Sequence, residues 1–205
     1  MKNENNTITE VGQVITRPEY SHEHFGERFY SFKLLVTRTS GDFDVIPCTI
    51  SERICDPTEN DIYEKYFSIT GSIRTYNEHT EHKLIIFLFV DEMYEITKEA
   101  DTYDNNKVEL VGYICKKSSA RPTPFGRTII DTILAVNRNY NKSDYIPVIF
   151  WNKNAKYIDT LPIGTKLKIS GRFQSREYLK NEDIHMVYEV SVQSVEILVN
   201  EKSSL

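Results

Sequence analysis

The sequence predicts an all-β protein built from two copies of one small domain in tandem. Three observations support this prediction: the chain repeats itself at an offset of 100 residues, its apolar residues follow strand patterns, and each copy has one short helical segment. A length of 205 residues suits two small domains.

The repeat needs no gap from Asn5 to Glu78, where residues match those 100 positions later. The matches are Val11-Gly12 with Val111-Gly112, Phe25-Gly26 with Phe125-Gly126, Leu34, Val36 and Arg38 with Leu134, Val136 and Arg138, Asp44, Ile46 and Pro47 with Asp144, Ile146 and Pro147, and Ile69 and Gly71 with Ile169 and Gly171. We therefore predict a first domain at 1–98, a linker at 99–106, a second domain at 107–199 and a short tail at 200–205.

Each copy shows three strands, a helix and two more strands. In the second copy the predicted strands are Val108–Ile114, Ile129–Val136, Tyr145–Trp151, Lys166–Ser175 and Met186–Leu198, and the helix is Asn154–Leu161. The continuous apolar run of the second of these strands predicts that both of its faces are covered. The first copy follows the same order, with its helix at Thr58–Tyr66. This order predicts a tandem oligonucleotide/oligosaccharide-binding (OB) fold, in which each five-stranded Greek-key barrel carries one short helix.

One proline interrupts the third strand of each copy, Pro47 in the first and Pro147 in the second. Because proline removes a donor from the ladder, we expect both to lie at a bulge or at an unpaired barrel edge.

Composition excludes several classes of protein. A net charge of −5 excludes a uniformly basic nucleic-acid coat, although a local basic patch is still possible. Cys48, Cys55 and Cys115 lack metal or disulfide spacing, and Cys115 is expected in the core or an interface. The five histidines show no ligand or triad spacing, so we expect no enzyme activity, metal or cofactor. The polar start and the strand-sized apolar runs predict no membrane segment and a cytoplasmic protein.

One face of the second copy combines aromatic and cationic side chains. By strand parity, Tyr145 and Trp151 share a face opposite the core, as do Arg172, Arg176 and Tyr178. Tyr140 and other cations lie in adjacent loops, namely Lys116, Lys117, Arg121, Arg127, Arg138 and Lys142. Rings that stack on bases and cations that meet phosphates suit single-stranded nucleic acid. Exposed tyrosines are also common on ordinary sheets, so the pattern alone leaves both interpretations open.

Charge separates the two halves. Residues 1–100 hold 10 basic and 18 acidic side chains, whereas residues 101–205 hold 15 and 12. The first half also has Ser40, Val45, Ser51 and Glu78 at the register positions of the four aromatic residues. We predict that the first domain is a degenerate copy that keeps the scaffold without the binding face.

Four segments of the second half resemble bacterial single-stranded DNA-binding proteins. They are Asn106–Gly112, Leu134–Arg138, Phe150–Ala155 and Ile169–Tyr178, and they occur in the order and spacing of that family. The resemblance covers about Asn105 to Leu198.

The resemblance implies sequence-tolerant binding and protection of single-stranded DNA in replication, repair or recombination, without catalysis. It implies base stacking on Tyr140, Tyr145, Trp151 and Tyr178, and phosphate contacts from Lys116, Arg127, Arg138, Lys142, Arg172 and Arg176. It also implies a homodimer with four barrels and a place at the nucleoid. Family members usually end in an acidic tip that recruits repair and replication proteins. The last residues here differ from such a tip, so recruitment by that route is not expected.

Two alternatives remain. In the first, the acidic first half docks onto proteins of a replication or mobile-element complex, and DNA binding is weak or absent. In the second, the ligand is single-stranded RNA, because stacking does not distinguish the sugars and only a 2′-hydroxyl contact would.

Overall fold

The computed structural model describes residues 5–78, 83–98, 106–180 and 183–198, with side chains omitted for 178–180 and 183–185. The predicted tail and all of the predicted linker except Asn106 lie outside these residues. Among the described residues, no helix is long and apolar enough to cross a membrane.

The first half forms one barrel from five strands and an added hairpin strand. Its strands are β1 (Asn6–Val14), β2 (Glu19–His24), β3 (Glu27–Thr37), β4 (Phe43–Ser51), β5 (Tyr66–Glu78) and β6 (Lys83–Ile96). The ring closes because β1 pairs with both β3 and β5, while β4 joins β3 on one side and β6 on the other. The β4–β6 pairing is parallel and the others are antiparallel, which is the OB topology.

The second half repeats this topology. Its elements are β7 (Lys107–Lys117), β8 (Arg121–Pro122), β9 (Thr128–Arg138), β10 (Lys142–Trp151), α1 (Asn152–Thr160), β11 (Lys166–Lys180) and β12 (Asp183–Ile197). Strand β7 pairs with β9 and β11, and β10 pairs in parallel with β12. The predicted all-β tandem fold is therefore confirmed, and α1 begins two residues earlier than expected.

The repeat register describes the two cores. Leu34, Ile46 and Ile69 are fully buried in the first barrel, and their counterparts Leu134, Ile146 and Ile169 are at most 1% exposed in the second. Close backbone approach explains the glycines matched at 71 and 171. A Cβ at Gly171 would lie 2.2 Å from the carbonyl oxygen of Ser191, and one at Gly71 would lie 2.0 Å from that of Phe89.

Each proline lies just before the short parallel pairing that closes its barrel. Pro47 pairs with Lys33 in an uninterrupted ladder, while the other side of β4 pairs with β6 only at Cys48 and Thr49. Pro147 has the same arrangement on β10. The predicted bulge is wrong, since neither antiparallel ladder shifts register at the proline, whereas the parallel register pairs among the described residues begin one position after it.

The helix predicted at Thr58–Tyr66 is wrong, because residues 52–65 form turns. Asp56 explains the difference, since its carboxylate accepts hydrogen bonds from the backbone nitrogen (2.9 Å) and hydroxyl (2.6 Å) of Thr58. Such local side-chain bonds compete with helix formation. Glu64 then takes a left-handed φ of 63°, which an α-helix does not contain.

Two expectations about individual strand positions are also wrong. Only one face of β9 is covered along its length, because Ile133 and Ala135 are half-exposed on the other. The core position expected for Cys115 is wrong because the residue is exposed, whereas its alternative position in an interface stays a prediction. A register shift between Ile114 and Lys116 leaves Cys115 as an extra residue in the β7–β9 ladder, and this bulge turns its side chain outward.

The chain divides into two compact units that are not continuous in sequence. In the second-half unit, Val108–Arg172 packs with residues 189–198. In the first-half unit, Thr7–Lys107 packs with Phe173–Tyr188, the outer part of the β11–β12 hairpin. The domain boundaries that the repeat predicts, with one continuous domain in each half, stay a prediction.

Candidate nucleic-acid interface

Strand β10 separates core residues from the candidate face. Ile146, Val148 and Phe150 are at most 2% exposed, as their shared parity predicts. On the alternate positions, Tyr145 is 46% exposed and Trp151 is half-buried. The pleat therefore places the two aromatic rings at opposite ends of one strand, on the face away from the core.

Trp151 is held by a neighbouring strand. Its indole Nε1 donates a 3.0 Å hydrogen bond to the Ser191 hydroxyl on β12. Across the antiparallel ladder its partner is Ile129 on β9, which is buried. These contacts fix the edge of the indole while the side chain keeps partial exposure.

Tyr140 lies at the turn between β9 and β10. Its ring is 93% exposed, and its backbone takes a left-handed φ of 63°. That conformation costs a residue with a Cβ about 1–2 kcal/mol. Because the ring is almost fully exposed, packing within the chain offsets little of this conformational free energy. The turn therefore holds Tyr140 in solvent although its backbone conformation is unfavourable.

Three of the predicted cations are exposed in the second-half unit: Lys116, Arg127 and Lys142. Two others are more constrained. Arg138 has a 29% exposed side chain, and its Nη1 lies 3.6 Å from the fully buried carboxylate of Asp144. Arg172 is half-buried. A phosphate would meet the exposed three at a lower desolvation cost than the other two.

Arg176 and Tyr178 belong to the other compact unit. Both lie on β11 within Phe173–Tyr188, which packs in the first-half unit. Arg176 is exposed, and the side chain of Tyr178 lies outside the described residues. The structure thus brings Tyr140, Tyr145 and Trp151 together in one unit and assigns Tyr178 to the other.

Two cations at the strand ends that flank the β7–β8 connection have structural contacts that the sequence did not reveal. Lys117 Nζ donates to the carbonyl oxygens of Ile158 (3.1 Å), Asp159 (2.6 Å) and Leu161 (2.6 Å) at the end of α1. A cation there satisfies open carbonyls and opposes the negative end of the helix dipole. Arg121 forms an ion pair with Asp131 on the adjacent strand. Lys117 therefore caps a helix instead of facing a phosphate.

The first-half unit has a groove with rings at other positions. The groove encloses about 810 Å³, and its lining includes Arg17, Lys33, Tyr76 and Phe87. The Tyr76 and Phe87 rings are 6.1 Å apart in an edge-to-face arrangement. The repeat register did not indicate these rings, because it compared only the four positions that are aromatic in the second half.

Comparison with protein families matches the second half. The family model described as "Single-strand binding protein family" matches residues 105–198. A single-stranded DNA-binding protein of Clostridium tetani is 35% identical over 101 residues, which cover 45% of this chain and 70% of that protein. One from Halalkalibacterium halodurans is 34% identical over 101 residues, covering 45% of this chain and 60% of that protein.

The chain spans only part of several relatives, including 60% of the Halalkalibacterium halodurans protein and 62% of one from Streptococcus mutans. Solved structures match both halves. The wild-type single-stranded DNA-binding protein from Thermus aquaticus superposes with a TM-score of 0.75, covering 98% of this chain and 96% of that one at 16% identity. A deletion mutant of the same protein gives a TM-score of 0.73 at 18% identity. At these identities the similarity establishes the two-barrel fold alone.

Proposed function

Because the chain belongs to the single-strand binding protein family, we propose that its second half binds single-stranded DNA, without catalysis and with little sequence preference. The predicted family resemblance is thus confirmed, and the binding activity of this chain rests on the geometry of its candidate face.

One observation carries the proposal: three partly or fully exposed rings and three exposed cations occur in one compact unit. Tyr140, Tyr145 and Trp151 supply the rings, and Lys116, Arg127 and Lys142 supply the cations. Each stacked base contributes about 1–3 kcal/mol, and stacking tolerates any base because every base has a flat face. The cations add contacts to a backbone that all sequences share. Arg138 and Arg172 support phosphate binding from more constrained positions.

The first half acts as a scaffold in this proposal. Its excess of acidic side chains opposes a phosphate backbone, and residues other than aromatic stand at the matching stacking positions. We place the activity in the cytoplasm, on exposed strands at the nucleoid during replication, repair or recombination.

We also propose a homodimer with four barrels, supported by the two barrels of each chain. A solution mass of twice 23.9 kDa would support this assembly, and a mass of 23.9 kDa at micromolar concentration would contradict it.

The test is equilibrium binding of the full chain to a 5′-labelled oligo-dT, followed by anisotropy across a salt series. For about three phosphate contacts on a single strand, log Kobs should fall against log salt with a slope near −2. A duplex of equal length should bind far more weakly. A flat salt series, or equal affinity for duplex, would contradict the proposal.

Two further ligands separate the alternatives. A matched oligo-rU measures the preference between DNA and RNA, which the rings alone do not set. If neither oligomer binds, the protein-docking function of the acidic first half becomes the better account.

A further inference from the structure

An almost fully exposed phenylalanine stands at the tip of the hairpin between β8 and β9. Phe125 is 92% exposed, so its ring packs on very little of the chain. Leaving a phenyl ring in water forgoes the stabilisation that burial would give. Stabilisation of the barrel therefore does not explain why a phenylalanine stands at this position.

The turn itself does not require the ring. Thr123 N donates to Arg127 O (2.7 Å), and Gly126 N donates back to Thr123 O (3.0 Å). Gly126 supplies the left-handed φ of 73° at this turn. A small residue at position 125 would satisfy the same backbone bonds.

The hairpin adjoins the end of the face that carries Trp151. Arg121 on β8 pairs with Ile129, and Ile129 pairs with Trp151 on β10. Thr128 N also donates to the side-chain oxygen of Asn152, the residue after Trp151 (3.2 Å). Ile129 follows Phe125 by four positions, a span of at most about 14 Å. Along the β9–β10 ladder the rings therefore follow the order Tyr140, Tyr145, Trp151 and then Phe125.

The charge around the ring suits a phosphate backbone. Residues 121–128 include Arg121 and Arg127 and no carboxylate. Arg127, two residues after Phe125, is exposed, whereas Arg121 is paired with Asp131.

The first half provides a matched site of opposite charge. Phe25 stands at the same register position, at the tip of the β2–β3 hairpin, and is 94% exposed. Its hairpin, residues 19–28, contains three glutamates and one arginine. The His24 ring lies 4.3 Å from the Phe25 ring. The two tips share exposure and position but differ in charge, which makes Phe25 the natural control.

We propose that Phe125 is an additional base-stacking residue, which extends the single-stranded DNA path beyond Trp151 onto the β8–β9 hairpin. The inference rests on the proposed function and adds a contact to it. A strand long enough to pass Trp151 reaches the ring, and a shorter strand bound at Tyr145 and Trp151 does not.

The first test moves the tryptophan probe. In a Trp151→Phe background, Phe125→Trp places the single indole at the hairpin tip, and Phe25→Trp does the same in the acidic hairpin. Long oligo-dT should quench the indole at 125, short oligo-dT should not, and neither should quench the indole at 25. Equal quenching at both tips, or none at 125, would overturn the assignment.

The second test measures affinity in the native background. Phe125→Ala should weaken binding of long oligo-dT about 5-fold or more, whereas Phe25→Ala should change it less than about 2-fold. Phe125→Tyr should restore affinity, and circular dichroism should show that every variant is folded. If the native chain binds and Phe125→Ala binds equally well, only the role of Phe125 is overturned. If the native chain itself fails to bind, the proposed function is refuted and this contact with it.

Discussion

Trp151 donates a 3.0 Å hydrogen bond from its indole nitrogen to the hydroxyl of Ser191. The bond joins β10 to β12 beside their parallel pairing, in which the register partner of Ser191 is Ile149, two residues before Trp151. It holds the indole by its edge, so the orientation of the ring is set before any ligand arrives. Preorganised rings lose less conformational entropy on binding.

Removing this bond should weaken DNA binding without unfolding the barrel. A hydrogen bond of this kind contributes about 0.5–1.5 kcal/mol, so Ser191→Ala should reduce oligo-dT affinity about 2- to 12-fold. Ser194→Ala is the control, because Ser194 lies on β12 like Ser191 but shares its hydrogen bond (2.7 Å) with the Ser170 hydroxyl on β11 and does not hold a ring. Anisotropy titrations measure both. Native affinity in Ser191→Ala would show that the bond does not position Trp151 for binding.

Tyrosines of similar exposure in the two halves should differ in function. Tyr145 is 46% exposed in the second half, and Tyr76 is 54% exposed in the groove of the first. Tyr145→Ala should weaken oligo-dT binding about 5-fold or more through the loss of one stacked base. Tyr76→Ala should change it less than about 2-fold. If Tyr76→Ala lost more oligo-dT affinity than Tyr145→Ala, the result would indicate a binding site in the first half instead.

Asp44 should be a principal support of the first-half unit. Its carboxylate is fully buried and accepts two hydrogen bonds from Arg38 (2.5 and 2.8 Å) and one from the backbone nitrogen of Ser175 (2.6 Å). Removing one member of a buried ion pair strands the other, at a cost of about 3–5 kcal/mol. Asp44→Ala should therefore lower the free energy of unfolding in urea by that amount.

Asp42→Ala provides the comparison for Asp44→Ala. Asp42 is exposed and accepts a hydrogen bond from Ser40 (2.8 Å), so its loss should cost less than about 0.5 kcal/mol. Because Ser175 belongs to the same unit, Asp44→Ala should also make the segment around residue 175 easier to cleave in limited proteolysis. Equal stability of the two variants would contradict this role.

Glu52 should make stability depend on pH. The backbone nitrogen of Arg28 (2.9 Å) and its side-chain Nε (2.6 Å) donate to Glu52 and hold the pKa of this carboxyl below its ordinary value of 4.5. A pKa lowered by folding means that the ionised carboxylate stabilises the fold above pH 4.5. That contribution is lost as the pH falls through the folded-state pKa.

Comparison of the native chain with Glu52→Gln measures this effect. The variant should be less stable at pH 7, and the gap should narrow in urea titrations performed between pH 4.5 and pH 3. A gap that stays constant over this range would show that the charge of Glu52 does not contribute.

Local and periodic features of the structure could be predicted from sequence. The register of the repeat identified core positions such as Leu34 and Leu134, because both copies bury the same face of the same strands. Strand parity likewise placed Tyr145 and Trp151 on the face opposite the core. These features depend on residues close together in the chain or on comparison between copies.

Contacts between distant residues could not be predicted in this way. Ser191 lies 40 residues from Trp151, and nothing in its neighbourhood marks it as the partner of an indole. The packing of Phe173–Tyr188 in the first-half unit is another long-range contact that no local pattern indicated.

Fluorescence of Trp151 during titration with oligo-dT directly measures whether the second half binds single-stranded DNA. Trp151 is the only tryptophan of the chain, so its signal reports on this face alone. We expect strong quenching by oligo-dT at low salt and none with duplex DNA. When salt is raised, the same quenching should require a higher concentration of oligo-dT. Unchanged fluorescence together with no complex in a gel would contradict single-stranded DNA binding by the second half.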